Sequence, residues 1–289
     1  MRLGQIKLQG TVTAAVFENE PPAPPRMARP IPGHTMLDLL RRAEREETPL
    51  DQLAAQLASR RAEEAVPLVP IHPPEVWGCG CTYQTSADFR DAERGTREGM
   101  YAHVYRAPRP EIFFKGTARV CVASGQAIGI RPDSRFTAPE PELAVVLGSR
   151  CRIAGFTLAN DVSAWDIERE NPLYLPQSKI FSGCCALGPV LLTAGELPDV
   201  YRLEMTCTIT RQGKELFWGR ISTSKLNRRL ETLIEYLTRA NPVPCGTVLM
   251  TGTGIVVPSD AATALAPGDV VTIGVPEIGE LTNPAAMAE

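Results

Sequence analysis

The residues of this 289-residue chain whose types and spacing could do chemistry gather in one stretch, Ala138 to Asp161. Glu140 and Glu142 stand two apart, ahead of a strand-like run Leu143-Ala-Val-Val-Leu147. A turn at Gly148-Ser149-Arg150 follows, and a second run from Ile153 to Leu158 ends on Asn160-Asp161. Residues two apart on a strand point to the same face, so both glutamates reach one point. If the second run pairs back against the first, Asp161 arrives at that point from the neighbouring strand. Three converging carboxylates repel one another unless a cation neutralises them. The chemistry predicted is a hard divalent metal site, Mg²⁺ first, with Mn²⁺ or Ca²⁺ as substitutes. The competing reading of a Glu-x-Glu pair is solvated charge on an exposed strand face.

Other candidates lie outside this stretch. Arg109-Pro-Glu-Ile-Phe-Phe-Lys115 reads as a short strand, with Glu111 and Lys115 four apart on one face. As a pattern alone that is a surface pair. Lys179 stands at the mouth of an apolar run, Ile180 to Pro189, where an exposed loop lysine is the plain expectation. Trp77-Gly-Cys-Gly-Cys-Thr-Tyr83 and Thr251-Gly252-Thr253-Gly254 are glycine-rich but match neither a Walker loop nor a dinucleotide fingerprint. Close approach of backbone to a ligand and dense packing are equally good uses for such glycines.

These groups need a scaffold, and the totals bound it. Hydrophobic content is 44% and charged content 22%, as in an ordinary globular protein. A net charge of −3 gives no reason to expect nucleic acid or an anionic membrane surface. The N-terminus is too polar for a signal peptide, and no run approaches membrane-spanning length, so a cytoplasmic protein is expected. The eight cysteines contain no Cys-x-x-Cys pair, which disfavours zinc and favours reduced thiols in the core.

Residues 1–66 read as a small N-terminal domain, with 67–289 as the main domain. A hairpin should turn near Gln9-Gly10. Two helices should follow: Thr35-Met-Leu-Asp38 forms a capping box for the first, and Thr48-Pro49-x-Asp51 opens the second with Thr48 as cap. Beyond the proline-studded crossing 66–74, short strands dominate. Ser86 to Tyr105 reads as a helix or a lid, and Ser163 to Gln177 as a short helix followed by a proline-rich loop. A hairpin turns at Gln212-Gly213, an amphipathic helix spans Leu226 to Leu237, and strands at 248–257, 270–275 and 278–281 close the sheet.

Taken in order, Pro110-Glu-Ile-Phe-Phe-Lys115, Glu140-x-Glu142-Leu, Asn160-Asp161-Val-Ser-Ala, Lys179 before its apolar run and Gly252-Thr253 resemble the fumarylacetoacetate hydrolase superfamily over roughly 73–284. Pro73-Pro-Glu-Val-Trp-Gly78, Arg109 to Lys115, and Glu170-Asn-Pro-Leu-Tyr-Leu-Pro-Gln-Ser-Lys179 look like its 2-keto-3-deoxy-D-arabinonate dehydratase branch. The resemblance implies an α+β, β-rich fold: a β-roll catalytic domain with a small α/β N-terminal domain. It implies Mg²⁺ on Glu140, Glu142 and Asp161, a small 2-oxo sugar acid as partner, and a homodimer or homotetramer. For the reaction so implied, Lys179 and Glu111 are the acid–base candidates, and Lys179, if desolvated beside the bound cation, is expected to have a lowered pKa. Lys115, Gly252, Thr253, Tyr83 and Ser86 are expected to bind substrate.

Two departures bear on the reaction. Hydrolases of the superfamily carry Asn-Tyr-x-x-His-Ala-x-Glu, whose histidine and glutamate activate water. Here the stretch is Thr82-Tyr-Gln-Thr-Ser-Ala-Asp-Phe89, with Ser86 and Phe89 at those positions. Serine is no general base near neutral pH, and His103, near the tip of this polar stretch, is expected in solvent. The second departure is Trp165, where the family usually writes arginine after Asn-Asp-Val-Ser-Ala. It removes a charge near the metal. The expected reaction is therefore elimination: a metal-dependent hydro-lyase taking 2-keto-3-deoxy-D-arabinonate or -xylonate to 2,5-dioxopentanoate. Acylpyruvate hydrolysis or oxaloacetate decarboxylation, and a non-catalytic 2-oxo-acid-binding protein, are the alternatives.

Overall fold

The computed structural model describes residues 1–21, 24–92, 99–197, 199–260 and 262–289. Positions 93–98 of the mixed-charge stretch lie outside them. The runs on either side of Gly148 form antiparallel strands, Pro141–Leu147 and Ile153–Asp161, with Pro141 opposite Asn160 and Glu142 opposite Ala159. They sit in the middle of an eleven-stranded sheet. Along the first strand, Leu143, Val145 and Leu147 enter one core while Ala144 and Val146 enter the other. A sheet covered on both faces needs apolar residues at every position, which is why this run shows no polar alternation.

One face is covered by a second sheet of five strands, Lys214–Ser222, Glu204–Arg211, Val270–Val275, Gly279–Met287 and Ile128–Ile130. Met205, Cys207, Ile209, Ile273 and Leu281 from this sheet share one core with Leu143, Val145, Phe156 and Leu158. The other face is covered by the N-terminal helices, whose Met36, Leu39, Leu40 and Leu53 pack with Ala144, Val146 and Ala159. Counting by twos, Glu140 and Glu142 continue the line of Ala144 and Val146, and Asp161 continues that of Ala159. The carboxylates therefore end the face on which the N-terminal helices pack.

The N-terminal hairpin turns at Gln9 and Gly10, both at positive φ, 48° and 86°. This left-handed pair suits the twist of a tight hairpin. Its first strand, Arg2–Leu8, pairs with Cys185–Thr193, so residues 1–66 extend the central sheet. The first helix, Met36–Arg45, has the expected capping box between Thr35 and Asp38. The second, Leu50–Leu57, is capped at Pro49 with no side-chain hydrogen bond, so Thr48 is not its cap. The mixed-charge stretch holds two helices, Gln84–Ala92 and Met100–Arg106, and His103 is exposed on the second, as expected.

Two expected elements differ. The proline-rich segment after Trp165–Glu170 is helical: Pro172–Tyr174 is a 3₁₀ turn and Leu175–Lys179 an α-turn. Proline at the start of each needs no amide donor there. The strand expected over 248–257 stops at Met250. Gly252 then adopts φ +93°, a left-handed conformation that favours glycine, and the chain leaves the sheet.

Candidate metal centre and active site

Glu140, Glu142 and Asp161 are all buried, and each offers an oxygen within 4.8 Å of the others'. Sheet pairing brings them together: the Asp161 amide donates to the Glu140 carbonyl at 2.9 Å. The Asn160 side-chain oxygen accepts from the Glu140 amide at 3.1 Å, pinning the start of the strand. The Gly252 amide donates to Glu142 Oε2 at 2.5 Å. The left-handed turn at Gly252 therefore holds a glutamate of the triad.

Both lysines are buried. Lys115 is fully buried, ion-paired with Asp161 Oδ1, and donates to the Val162 carbonyl at 2.9 Å. It is not half of a surface pair with Glu111. Lys179, 2% exposed, donates to Glu140 Oε2 at 3.1 Å, Asp161 Oδ2 at 3.0 Å and Ser163 Oγ at 2.6 Å. Burial pushes Lys179 down, but Asp161 and Glu140 more than offset it and hold the lysine above its ordinary value. The lowering expected of a lysine beside a bound cation belongs to the metal-loaded site. Burial pushes Glu140 up, yet Lys179 and Arg90, with hydrogen bonds from Trp165 and Lys179, bring it to about 2. Glu142 is pushed well up by burial and by Asp161 and Glu140.

Two side chains at this site, Arg90 and Glu168, escaped the sequence reading, and Trp165, noted there only as a departure, touches a carboxylate of the triad. Arg90 Nη2 donates to Glu140 Oε1 at 2.9 Å, and its Nη1 pairs with Glu168 Oε1. Trp165 Nε1 donates to the same Glu140 oxygen at 2.6 Å. The Trp165 ring stacks on Phe136 at 5.6 Å and tilts against Phe89 at 5.4 Å. The two departures from the hydrolase pattern, Phe89 and Trp165, thus touch each other. The next residue, Arg90, supplies a guanidinium to Glu140 in place of the charge that Trp165 removes.

A cavity of about 20 Å³ lies beside the carboxylates. Glu111, Phe113, Lys179 and Glu140 line one part, Ser86, Arg90 and Glu168 another, and Cys79 to Cys81, Leu175 and Thr253 complete it. The Cys81 thiol donates to Glu111 Oε2 at 3.5 Å. Lys179, Glu111, Ser86 and Thr253 therefore meet in one place. Tyr83 does not line the cavity: it is buried with its ring against Gly254. The volume holds little more than one water, so a five-carbon ligand requires the lining to open.

The donor set fits Mg²⁺: three hard carboxylate oxygen ligands and no sulfur or imidazole among them. Charge agrees. Glu111, Glu140, Glu142, Asp161 and Glu168 surround Lys115, Lys179 and Arg90. With all five carboxylates ionised, as a bound cation would favour, the excess of two negative charges matches one divalent ion.

The model of the fumarylacetoacetate hydrolase C-terminal family matches residues 76–286. The 2-dehydro-3-deoxy-D-arabinonate dehydratase of Saccharolobus solfataricus is 49% identical over 74% of this chain and 72% of its own. A Haloferax volcanii protein named probable 2-keto-3-deoxyxylonate dehydratase is 42% identical over 86% of this chain and 87% of its own. A solved structure of 2-keto-3-deoxy-D-arabinonate dehydratase, complexed with magnesium and 2,5-dioxopentanoate, superposes with a TM-score of 0.81 at 37% identity, covering 99% of each chain. With a sheet-rich fold shared across its whole length and the matched segment spanning every carboxylate and lysine of the site, the chain belongs to the fumarylacetoacetate hydrolase family.

Proposed function

We infer that this protein is a Mg²⁺-dependent hydro-lyase that dehydrates a 2-keto-3-deoxy pentonic acid to 2,5-dioxopentanoate. One observation carries the reading. A complete carboxylate–lysine site stands beside Ser86 and Phe89, at the positions where the family's hydrolases carry a water-activating pair. The identity to the two dehydratases and the likeness to the magnesium complex support it.

The reaction removes a proton from C3 and expels the hydroxyl of C4. Glu140, Glu142 and Asp161 would hold Mg²⁺, which would supply Lewis acidity for the negative charge that develops at the C2 oxygen. Lys179 and Glu111 line the cavity together and share the proton transfers: one takes the C3 proton, and the other protonates the departing C4 oxygen. Ser163 and Asp161 fix the Lys179 ammonium, and Cys81 fixes one oxygen of Glu111. Lys115 holds Asp161 in place. Phe113 and Leu175 give the cavity an apolar flank that keeps water off the carbon chain. After water leaves, the enone carrying a C5 hydroxyl tautomerises to the 5-aldehyde with no change in composition.

Deuterium exchange at C3 divides the two roles. In ²H₂O the variant lacking the acid should still exchange C3, while the variant lacking the base should not. Lys179→Met and Glu111→Gln should therefore differ in exchange, although both turn over at least about 10²-fold more slowly. Wild-type turnover by both variants would remove this pair from the mechanism. Assembly as a homodimer or homotetramer and residence in the cytoplasm complete the proposal; no helix among the described residues is long and apolar enough to cross a membrane.

A further inference from the structure

Glu168 lines the same cavity as Glu111 and Lys179 but belongs neither to the metal-binding triad nor to the proton-moving pair. It is 4% exposed. Its Oε1 accepts from Arg90 and, at 3.4 Å, from the Tyr101 hydroxyl. Its Oε2 has no hydrogen-bond partner among the described residues. A buried carboxylate oxygen without a donor is costly, and a bound ligand can supply the missing donor.

The place of Glu168 in the cavity bears on which part of a ligand meets it. Arg90 bridges Glu168 to Glu140, so one guanidinium spans the cavity between the distal carboxylate and the metal-binding one. On the functional reading above, a 2-oxo acid held by its C1–C2 end at the triad would extend its far end toward Glu168. A hydroxyl there both donates and accepts: it can donate to Glu168 Oε2 and accept from Arg90. A carboxylate there only accepts and carries the same charge as Glu168. An aldehyde has no proton to offer and leaves the contact unmet, which favours departure of the product named above.

We propose that Glu168 is a specificity-determining residue, which selects 2-oxo acids with a hydroxylated far end and rejects those ending in a second carboxylate. The proposal rests on the functional reading above for the direction in which the ligand lies. Specificity of this kind comes from a repulsive element as much as from an attractive one.

Two five-carbon ligands test it: 5-hydroxy-2-oxopentanoate, which has no C4 hydroxyl to lose, and 2-oxoglutarate. Their dissociation constants are measured by calorimetry on the Mg²⁺-loaded wild type and on Glu168→Gln, which keeps the shape and the acceptor toward Arg90. The wild type should bind the hydroxy acid at least about tenfold more tightly than 2-oxoglutarate, and Glu168→Gln should narrow that gap by about tenfold or more. Equal binding by the wild type overturns the proposal, and so does an unchanged gap in the variant. If the variant does not fold, the wild-type ratio alone decides. Because the assay reads binding, failure of the functional reading shows separately, as an absence of dehydration with the gap intact.

Discussion

At the scale of single residues, the site is a set of charges that only make sense together. Glu140 is held ionised by Lys179, Arg90 and Trp165, whereas Glu142, two positions away, is pushed toward its neutral form by burial and its carboxylate neighbours. The asymmetry comes from which partners each reaches. Trp165 tests this directly. Trp165→Phe keeps a ring to stack on Phe136 but removes the indole donor to Glu140. Partners behind metal ligands typically contribute 10–100-fold in affinity, so Mg²⁺ binding measured by calorimetry should weaken by about tenfold. Unchanged affinity would mean that Arg90 alone orients Glu140. The triad itself was legible in the sequence, because strand periodicity and one antiparallel pairing suffice to converge Glu140, Glu142 and Asp161. Arg90 was not legible: it lies in a mixed-charge stretch, and no local pattern marks it as a residue that turns inward. Lys115 looked like half of a surface pair because its true partner, Asp161, lies 46 positions away in the chain.

At the scale of elements, the end of the Val248–Met250 strand governs the second glutamate. The chain leaves the sheet there, turns at Gly252 with φ +93°, and presents that amide to Glu142. A Cβ at Gly252 would run into Thr82 Oγ1 and the Cys79 carbonyl. Gly252→Ala should therefore cost about 1–3 kcal/mol from the left-handed backbone alone, read as a lower urea midpoint for the metal-free protein, and should also weaken Mg²⁺ binding. A variant as stable as the wild type, with full Mg²⁺ affinity, would show that the turn does not position Glu142. The hairpin and the first helix were readable because their signals, Gln9-Gly10 and the Thr35–Asp38 box, are local. The segment 171–179 was not: its prolines read as loop, but each begins a short helical turn where a missing amide costs nothing.

At the scale of the whole molecule, one central sheet carries the site and two different layers cover it. The five-stranded sheet packs on one face, and the N-terminal helices on the other, where the carboxylates end their strands. Residues 1–66 thereby back the site, and none of their described residues lines its cavity or belongs to its carboxylate triad. That they do so by extending the same sheet could not be read from a hairpin pattern, since the partner strand Cys185–Thr193 is nearly two hundred residues away. Because the site forms only in the folded protein, Mg²⁺ at about 100 times its dissociation constant should add about 2.7 kcal/mol of stability. The melting temperature should rise accordingly for the wild type and stay unchanged for Glu142→Gln, which should lose metal and activity together. An equal rise in both would place the stabilising ion elsewhere. The central claim is that the whole arrangement eliminates water from a 2-keto-3-deoxy pentonic acid. The most direct measurement is carbon-13 NMR of the products formed from 2-keto-3-deoxy-D-pentonate with Mg²⁺. Appearance of 2,5-dioxopentanoate, abolished by a chelator, is the predicted result; unchanged substrate, or cleavage to pyruvate and a two-carbon aldehyde, would contradict it.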